Sequence, residues 1–357
     1  MTLTNDRDND VTPVPYQEGK PLRIQISNSY CSYLSPQQQV TVVIHKMLSM
    51  TMSPVLDVVV EAPTGSPVRA VLKLYDRRFG KDLRDVFNRH TPHTAANEAL
   101  FQSYIRRGMM APFLRELDEE EKGQIVPSHP GQQLRDDSAE SRVRYEAALW
   151  RECHQHFQSE TGAYTRLRNL QGKSIPRILA HVRLVLGDSD VPEDLQQTAS
   201  CFFEVKGVLL EHIEGYNLSD LTTSSQAPSD PRHWPGIVQE AANAAHEINK
   251  NGVLMQDADP RNVVVDGRSQ MPYIVDFAQC TFKDELVALW HNWGWNCDEK
   301  WDPNVEYWKR ASRGGDPKAI GVAMRARLEE KGVRLDSIEY PDYGEIISDI
   351  KHRKGAT

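Results

Sequence analysis

Between Met255 and Gly267 the chain reads MQDADPRNVVVDG, which places Asp257, Asp259, Arg261 and Asn262 within six residues before a Val-rich run. Carboxylate and carboxamide oxygens are ligand types that a hard divalent cation takes, and a carboxylate can also accept a proton. The same DADPRN is good turn chemistry, since Asp, Pro and Asn each favour a tight reversal. Fourteen residues beyond Asn262, PYIVDFAQC carries another carboxylate, Asp276, at the end of an apolar run. Two such groups in this order raise the loop from a turn to a candidate site.

Those residues need elements to position them. From PLRIQIS onward come short β-branched runs, QVTVVIHKML, VLDVVVEAP and VRAVLKLYDR, punctuated by Ser, Pro and Gly, which read as an antiparallel meander. Residues 1 to about 20 read as a flexible tail, and 80 to about 144 as a charged, helix-prone insertion. A long helix follows over RYEAALWRECHQHFQSETGAYTRLRNL, where Tyr145, Leu149, Cys153, Phe157, Tyr164 and Leu167 recur at near-helical spacing. RILAHVRLVLG and CFFEVKGVLLEHI make two more strands, and GIVQEAANAAHEINKNGV a second long helix stopped by Gly252. This order predicts an α+β chain, with a β-rich N-terminal lobe over 21–211 and a mainly helical C-terminal lobe over 212–357.

The spacing of Asp257 and Asn262, with Asp276 downstream, resembles the catalytic loop and the metal-binding segment of the protein-kinase-like superfamily. The resemblance extends upstream and spans roughly residues 40 to 285. AVLKLYD resembles the strand that carries the phosphate-binding lysine, making Lys73 that residue; strand alternation puts Val71 on the same face. VLLEHIEGYNL resembles the strand and hinge that bind adenine, through backbone groups of Glu211, His212 and Ile213, with Gly215 allowing the turn into the next helix. The partner of the lysine has two candidates. Glu98 is nearer in sequence; Glu160 is preferred, because its helix runs directly into the next strand. More closely, LKLYDRRF, ETGAYTRLRNLQGKSIPR and DADPRN with IVDFAQC are similar to a group of uncharacterised kinase-like proteins of mushroom-forming fungi. The resemblance implies a bilobal fold that uses ATP and Mg²⁺ to phosphorylate a hydroxyl of a protein or small molecule. Asp257 would be the base, Asn262 and Asp276 the metal ligands, Lys73 the phosphate ligand and Glu160 its positioner. The alternative is a pseudokinase that keeps the fold for binding without turnover.

Departures from the family pattern are as informative. No glycine occurs between Gly19 and Gly65, so LSMTMSP cannot be a glycine-rich phosphate flap, and Ser49, Thr51 and Ser53 are the substitutes. Met255 and Gln256 stand where protein kinases have His and Arg, which argues against activation-loop control. Asp259 stands where they have a lysine and adds negative charge to the phosphate path, with Arg261 as the compensating cation. Ala278 replaces a glycine, and Val71 a smaller residue. Past Cys280 there is no activation segment but WHNWGWNCDEKWDPNVEYW, which holds five of the seven tryptophans and reads mainly as core.

The remaining signals exclude more than they assign. A net charge of -8 with 26% charged residues leaves no basic surplus for nucleic acid or an anionic membrane. The five cysteines are scattered and unpaired in pattern, and CHQH (153–156) and RHTPH (89–93) lack a second half with zinc spacing. The N-terminus has no apolar signal core, so a cytoplasmic location is expected.

Overall fold

The computed structural model describes residues 11–61, 66–86, 89–122, 124, 128–185, 199–295, 301–335 and 338–355. The chain divides into two compact units, one of residues 1–157 and 178–212, the other of residues 158–177 and 213–357. Residues 158–177, read from sequence as part of the N-terminal lobe, therefore belong to the second unit.

The first unit is built on β1 (Pro21–Ser29), β2 (Gln39–Met50), β3 (Pro54–Glu61), β4 (Val68–Tyr75), β5 (Ile178–Leu184) and β6 (Lys206–Glu211). These pair in the order β1-β2-β3-β4-β6-β5, and β5 returns to β1, so the expected meander is a closed antiparallel barrel. Alternation explains its core: Ile24 and Ile26, Val40, Val42 and Ile44, Leu56, Val58 and Val60, and Ala70, Leu72 and Leu74 all face inward. Closure leaves neither end strand with an open edge. The chain ahead of β1 is anchored from residue 11 onward, rather than a free tail. Thr12 N donates to His93 O, Gly19 N donates to Ile44 O, and the buried Tyr16 donates its hydroxyl to Asp76 Oδ2 at 2.5 Å. Residues 1–10 lie outside the described set.

Between β4 and β5 run α1 (Ala95–Arg106), α2 (Met110–Glu120) and α3 (Ala139–Arg166). The expected insertion thus carries two helices, and α3 begins five residues before the sequence boundary at Arg144. Phe101, Tyr104 and Ile105, Phe113 and Leu117, and Val143, Ala147 and Ala148 form a separate small core. Beside it lies a buried ionic set. Glu146 on α3 accepts from Arg77 at 2.7 Å and from Arg84, and Arg77 also pairs with Glu98 on α1.

The second unit begins with the last turns of α3 and continues with β7 (Gly215–Asn217), α4 (Trp234–Lys250), β8 (Val253–Leu254), β9 (Val263–Asp266), β10 (Pro272–Ile274) and β11 (Thr281–Phe282). Helices α5 (Lys283–Asn292), α6 (Pro303–Gly314), α7 (Asp316–Glu329) and α8 (Tyr343–Gly355) complete it. The Ile237, Val238, Ala241, Ala245 and Ile248 stripe of α4 is buried, and α4 packs on α7. Strand β9 lies between β10 and β7, while β8 pairs with β11. A Cβ at Gly215 would lie 1.8 Å from Val265 O, so the β7–β9 approach requires glycine there. The tryptophan-rich segment is only partly core: Trp290 is buried and stacks on Trp295, whereas Trp293 and Trp295 are exposed.

Candidate functional site

The Asp257 loop hangs from a buried polar anchor. Asn249, in the last turn of α4, donates to Val253 O at 3.0 Å and to Asp316 Oδ2 at 2.7 Å, and the same Asp316 oxygen accepts from Met255 N at 2.9 Å. Tyr307 closes the set by donating to Asn249 O at 2.6 Å. Burial pushes the Asp316 carboxyl above its usual range, and the hydrogen bonds from Met255 and Asn249 offset only part of that rise. Asp316 was not singled out in the sequence. Its depth comes from the packing of α7 on α4, which no local pattern reports.

Past Met255 the chain turns sharply. Gln256 has φ +63°, and its side chain donates to Thr281 Oγ1 at 2.5 Å. Asp257 follows, and Asp259 then caps the short 3₁₀ turn Pro260–Asn262, accepting from Arg261 N at 2.9 Å. Pro260 at the first position of that turn lacks the N–H that would otherwise be orphaned. The Asp259 carboxylate is thus part of the loop's own backbone bonding. Arg261 reaches back to Asp257, with Nη2 at 3.1 and 3.0 Å from its two oxygens. Asn262 Nδ2 donates to both Asp257 O and Asp257 Oδ2 at 3.0 Å. The Asn262 nitrogen is therefore committed to Asp257, which leaves Oδ1 as the atom of that amide able to act as a ligand.

Asp276 is tied to the same loop through the backbone. Val263 pairs with Ile274 in the β9–β10 ladder, and Val275 N donates to Asn262 O at 2.9 Å. Asp276 itself has φ +68°, and its Oδ1 accepts from Ala278 N at 3.2 Å. Among the described residues four non-glycine residues have positive φ, and two of them, Gln256 and Asp276, flank this cluster. Strained backbone of that kind concentrates at functional positions. Next in the chain, Phe277 N donates to Glu160 Oε2 at 3.1 Å, and Glu160 is fully buried. Asp257, Asn262, Asp276 and Glu160 are thus in one hydrogen-bonded neighbourhood of the second unit. Glu98 lies in the first unit, where Arg77 and His93 hold it. Burial works against its charge, but those two partners bring its carboxyl well below the usual range.

The other expected residues lie in or beside the first unit. Lys73 and Val71 are on β4, on the face opposite the inward Ala70, Leu72 and Leu74; Lys73 is buried and its Nζ lies 5.6 Å from the Tyr75 ring centroid. Because the strand over 21–29 precedes the three expected ones, Lys73 sits on the fourth strand of the barrel. Glu211 ends β6, opposite Ala70, and the boundary between the units falls between His212 and Ile213. Asp57, buried on β3, pairs with Arg69 at 2.7 Å, and His212 Nε2 lies 3.9 Å from it. The glycine-free turn after β2 is fastened by the chain beyond β4. Lys81 N donates to Met50 O at 2.8 Å and Asp82 N donates to Thr51 O at 3.0 Å. Ser49 and Thr51 face each other at 3.3 Å, while Ser53 is buried.

Among the described residues no group of three or more His, Cys, Asp and Glu is arranged to hold a metal ion. Of CHQH, Cys153 is buried, His154 stacks on Trp150 and His156 lies near Glu152, so the motif is dispersed around α3. No described helix is long and apolar enough to cross a membrane.

No family model matches the chain and no curated protein matches it. Solved structures do. The kinase domain of Mycobacterium tuberculosis PknI, as a double mutant, is 15% identical over 66% of this chain and 58% of that one, with a TM-score of 0.31. A single mutant of the same domain is 14% identical over 66% and 59%, also at 0.31. The autoinhibited serine kinase domain of the giant muscle protein titin is 11% identical over 68% and 46%, at 0.32. The chain spans under two thirds of the length of each of these domains.

Proposed function

We propose that the chain is an ATP- and Mg²⁺-dependent phosphotransferase of protein-kinase-like fold, which transfers the γ-phosphate to a hydroxyl of a protein or a small molecule. The observation that carries this reading is the joining of Asp257, Asn262 and Asp276 in one bonded set, with strained backbone at Gln256 and Asp276. The donor set fits Mg²⁺: one carboxylate, one amide oxygen and no soft ligand, the pattern of a metal that completes its shell with water and phosphate oxygens.

On this reading Asn262 Oδ1 and Asp276 hold the metal, and Asp257 orients the acceptor hydroxyl and takes its proton. Lys73 holds nucleotide phosphate, Glu160 positions Lys73, Val71 borders the base, and backbone groups of Glu211, His212 and Ile213 bind adenine. When bound, the metal and the triphosphate supply charge neutralisation and a good leaving group. Arg261 supplies positive charge beside Asp257, where the family lysine is replaced by Asp259. With Asp259 engaged in capping the turn, its charge is partly offset by the backbone N–H it accepts.

The test is ADP release with Mg²⁺ATP across protein and small-molecule acceptors, comparing wild type with Asp257→Asn and Asp276→Asn. Turnover in the wild type that both variants abolish supports the reading; no turnover and no metal-dependent thermal stabilisation removes it. A specific observation favours the second reading, a pseudokinase: the turn after β2 has no glycine, and its Met50 and Thr51 carbonyls accept from Lys81 and Asp82, which restrains the backbone from closing its N–H groups around a phosphate. Nucleotide binding without turnover on any acceptor would select that reading.

A further inference from the structure

A cleft lies wholly within the first unit, where α3, the short turn Ser200–Phe202 and the start of β6 meet the residues that follow β4. Its floor is buried, formed in part by Tyr75, Cys153 and Val205. One wall is aromatic. Trp150 and His154, about one turn apart on α3, stack with ring centroids 5.3 Å apart and planes within 6° of parallel, and Phe202 meets Trp150 edge-on at 5.0 Å. The cleft is narrow, so a single ring suits it better than a larger ligand.

Of the charges that line it, one has no opposite partner. Asp76 pairs with Arg78 at 2.9 Å, Arg77 pairs with Glu98, and Glu204 pairs with Arg183 at 2.9 Å. Lys206, half-buried at the start of β6, has no carboxylate partner among the described residues; its Nζ lies 3.3 Å from His154 Nδ1 and 5.8 Å from the Phe157 ring centroid. An ammonium group can only donate, so His154 Nδ1 accepts and the imidazole is neutral. Burial, and then the charge of Lys206, holds the His154 pKa below its ordinary value, in keeping with a neutral ring. A neutral acceptor leaves the lysine charge uncompensated, and Nζ keeps two further hydrogens to donate.

We propose that this cleft binds a small aromatic monocarboxylate, with the ring against Trp150 and Phe202 and the carboxylate on Lys206. Apolar walls with one well-placed cation are the makings of such a site, the ring supplying buried area and the charge-assisted hydrogen bond fixing orientation. A monoanion matches a single uncompensated cation, whereas Glu98 and Glu204 in the same lining oppose a more highly charged group such as phosphate. The site goes beyond the phosphotransferase reading and does not rest on it, since Trp150, Phe202 and Lys206 lie outside the residues assigned to nucleotide and metal.

The full chain is titrated with para-fluorobenzoate, followed by fluorine NMR, beside two comparators. Para-fluorobenzyl alcohol keeps the ring without the charge, and difluoroacetate keeps the charge without the ring. Fluorobenzoate is expected to bind saturably, and each comparator about 10-fold more weakly or not at all. Cys201, an exposed thiol in the cleft lining, locates the site: bound fluorobenzoate is expected to slow its alkylation by iodoacetamide, read by peptide mass spectrometry. Lys206→Met is expected to weaken binding about 10-fold and to remove that protection, with Lys206→Gln taking its place should the methionine variant fail to fold. Trp293→Leu, at an exposed tryptophan of the second unit, is expected to leave binding unchanged. Absence of saturable fluorobenzoate binding, undiminished binding in the Lys206 variant, or binding that leaves Cys201 unprotected would overturn the proposal. So would equal binding of the alcohol, which makes the cleft a plain apolar surface, or of difluoroacetate, which makes it an anion site without an aromatic preference.

Discussion

At the scale of single residues, the Asp257 loop separates groups that hold geometry from groups open to solvent. Asp259 belongs to the first kind. Asp259→Asn keeps an acceptor for Arg261 N and should leave melting and any turnover near wild type. Asp259→Lys removes the cap, at a cost of about 0.5–2 kcal/mol, and should lower turnover even though it restores the family residue. A higher rate in Asp259→Lys would show that charge, and not loop geometry, limits the reaction. Arg261 belongs to the second kind, being mostly exposed while bonded to both oxygens of Asp257. Arg261→Ala should leave the fold intact, since an exposed pair contributes only about 0–1 kcal/mol. On the proposed phosphotransferase reading it should nonetheless lower kcat with little change in the KM for ATP, which steady-state kinetics would read directly.

At the scale of elements, α3 is held in the first unit by ionic groups whose titration works in opposite directions. Both oxygens of Glu146 are taken by buried arginines, and although burial opposes its charge, Arg84 and Arg77 keep its carboxyl below the usual value of 4.5. Its folded value is depressed, so its contribution is full above pH 4.5 and is lost as pH falls below it. Glu146→Ala strands two buried guanidiniums and should cost about 3–5 kcal/mol, read as a lower urea midpoint. Glu152, two turns on, is the reverse case. Burial, with Glu121 close by, pushes it up to about 7 against the pull of Arg151. His156 lies 3.7 Å from it, and its Oε2 has no hydrogen-bond partner among the described residues. A raised folded value means the unfolded chain releases this proton first, so stability falls as pH climbs from 4.5 to about 7 and levels off above. Glu152→Gln removes that penalty. It should raise stability at pH 8 by up to about 3 kcal/mol and leave it nearly unchanged at pH 4.5; equal gains at both pH values would exclude ionisation of Glu152 as the cause.

At the scale of the whole molecule, the feature that organises the first unit is closure of the barrel by β1. Ile24 and Ile26 fill its interior, and β1 bonds to β2 on one side and β5 on the other. Removing residues 1–30 would open two strand edges and expose the apolar interior to water. The truncated chain is expected to aggregate or to melt well below the full chain, because unpaired edges are templates for association. Light scattering and thermal unfolding would check this, and a soluble, equally stable truncation would mean that β1 is dispensable. The second unit has a comparable dependence at Gly215, where any side chain would collide with Val265 O. Gly215→Ala should disrupt the β7–β9 pairing next to the candidate loop.

Much of this was legible in the chain itself, because the determining interactions were local. Alternating Val, Ile and Leu named the strands of the barrel, and the apolar stripe of GIVQEAANAAHEI named α4, since both periods follow from backbone geometry alone. The interval from Asp257 to Asn262 is likewise local: one capped turn sets it, so the cluster could be read from DADPRN. What the tertiary structure decided was every relation between distant segments. It closed the meander into a barrel through the pairing of residues 21–29 with 178–184, and it anchored a stretch read as a tail. It put Asp316 beneath Met255 across 61 residues and brought Glu160 to the Phe277 amide across 117. It also converted Asp259 from an extra charge into a cap. A residue's type and spacing fix what its side chain can bond; which partner arrives is set by packing, and packing is a property of the whole chain.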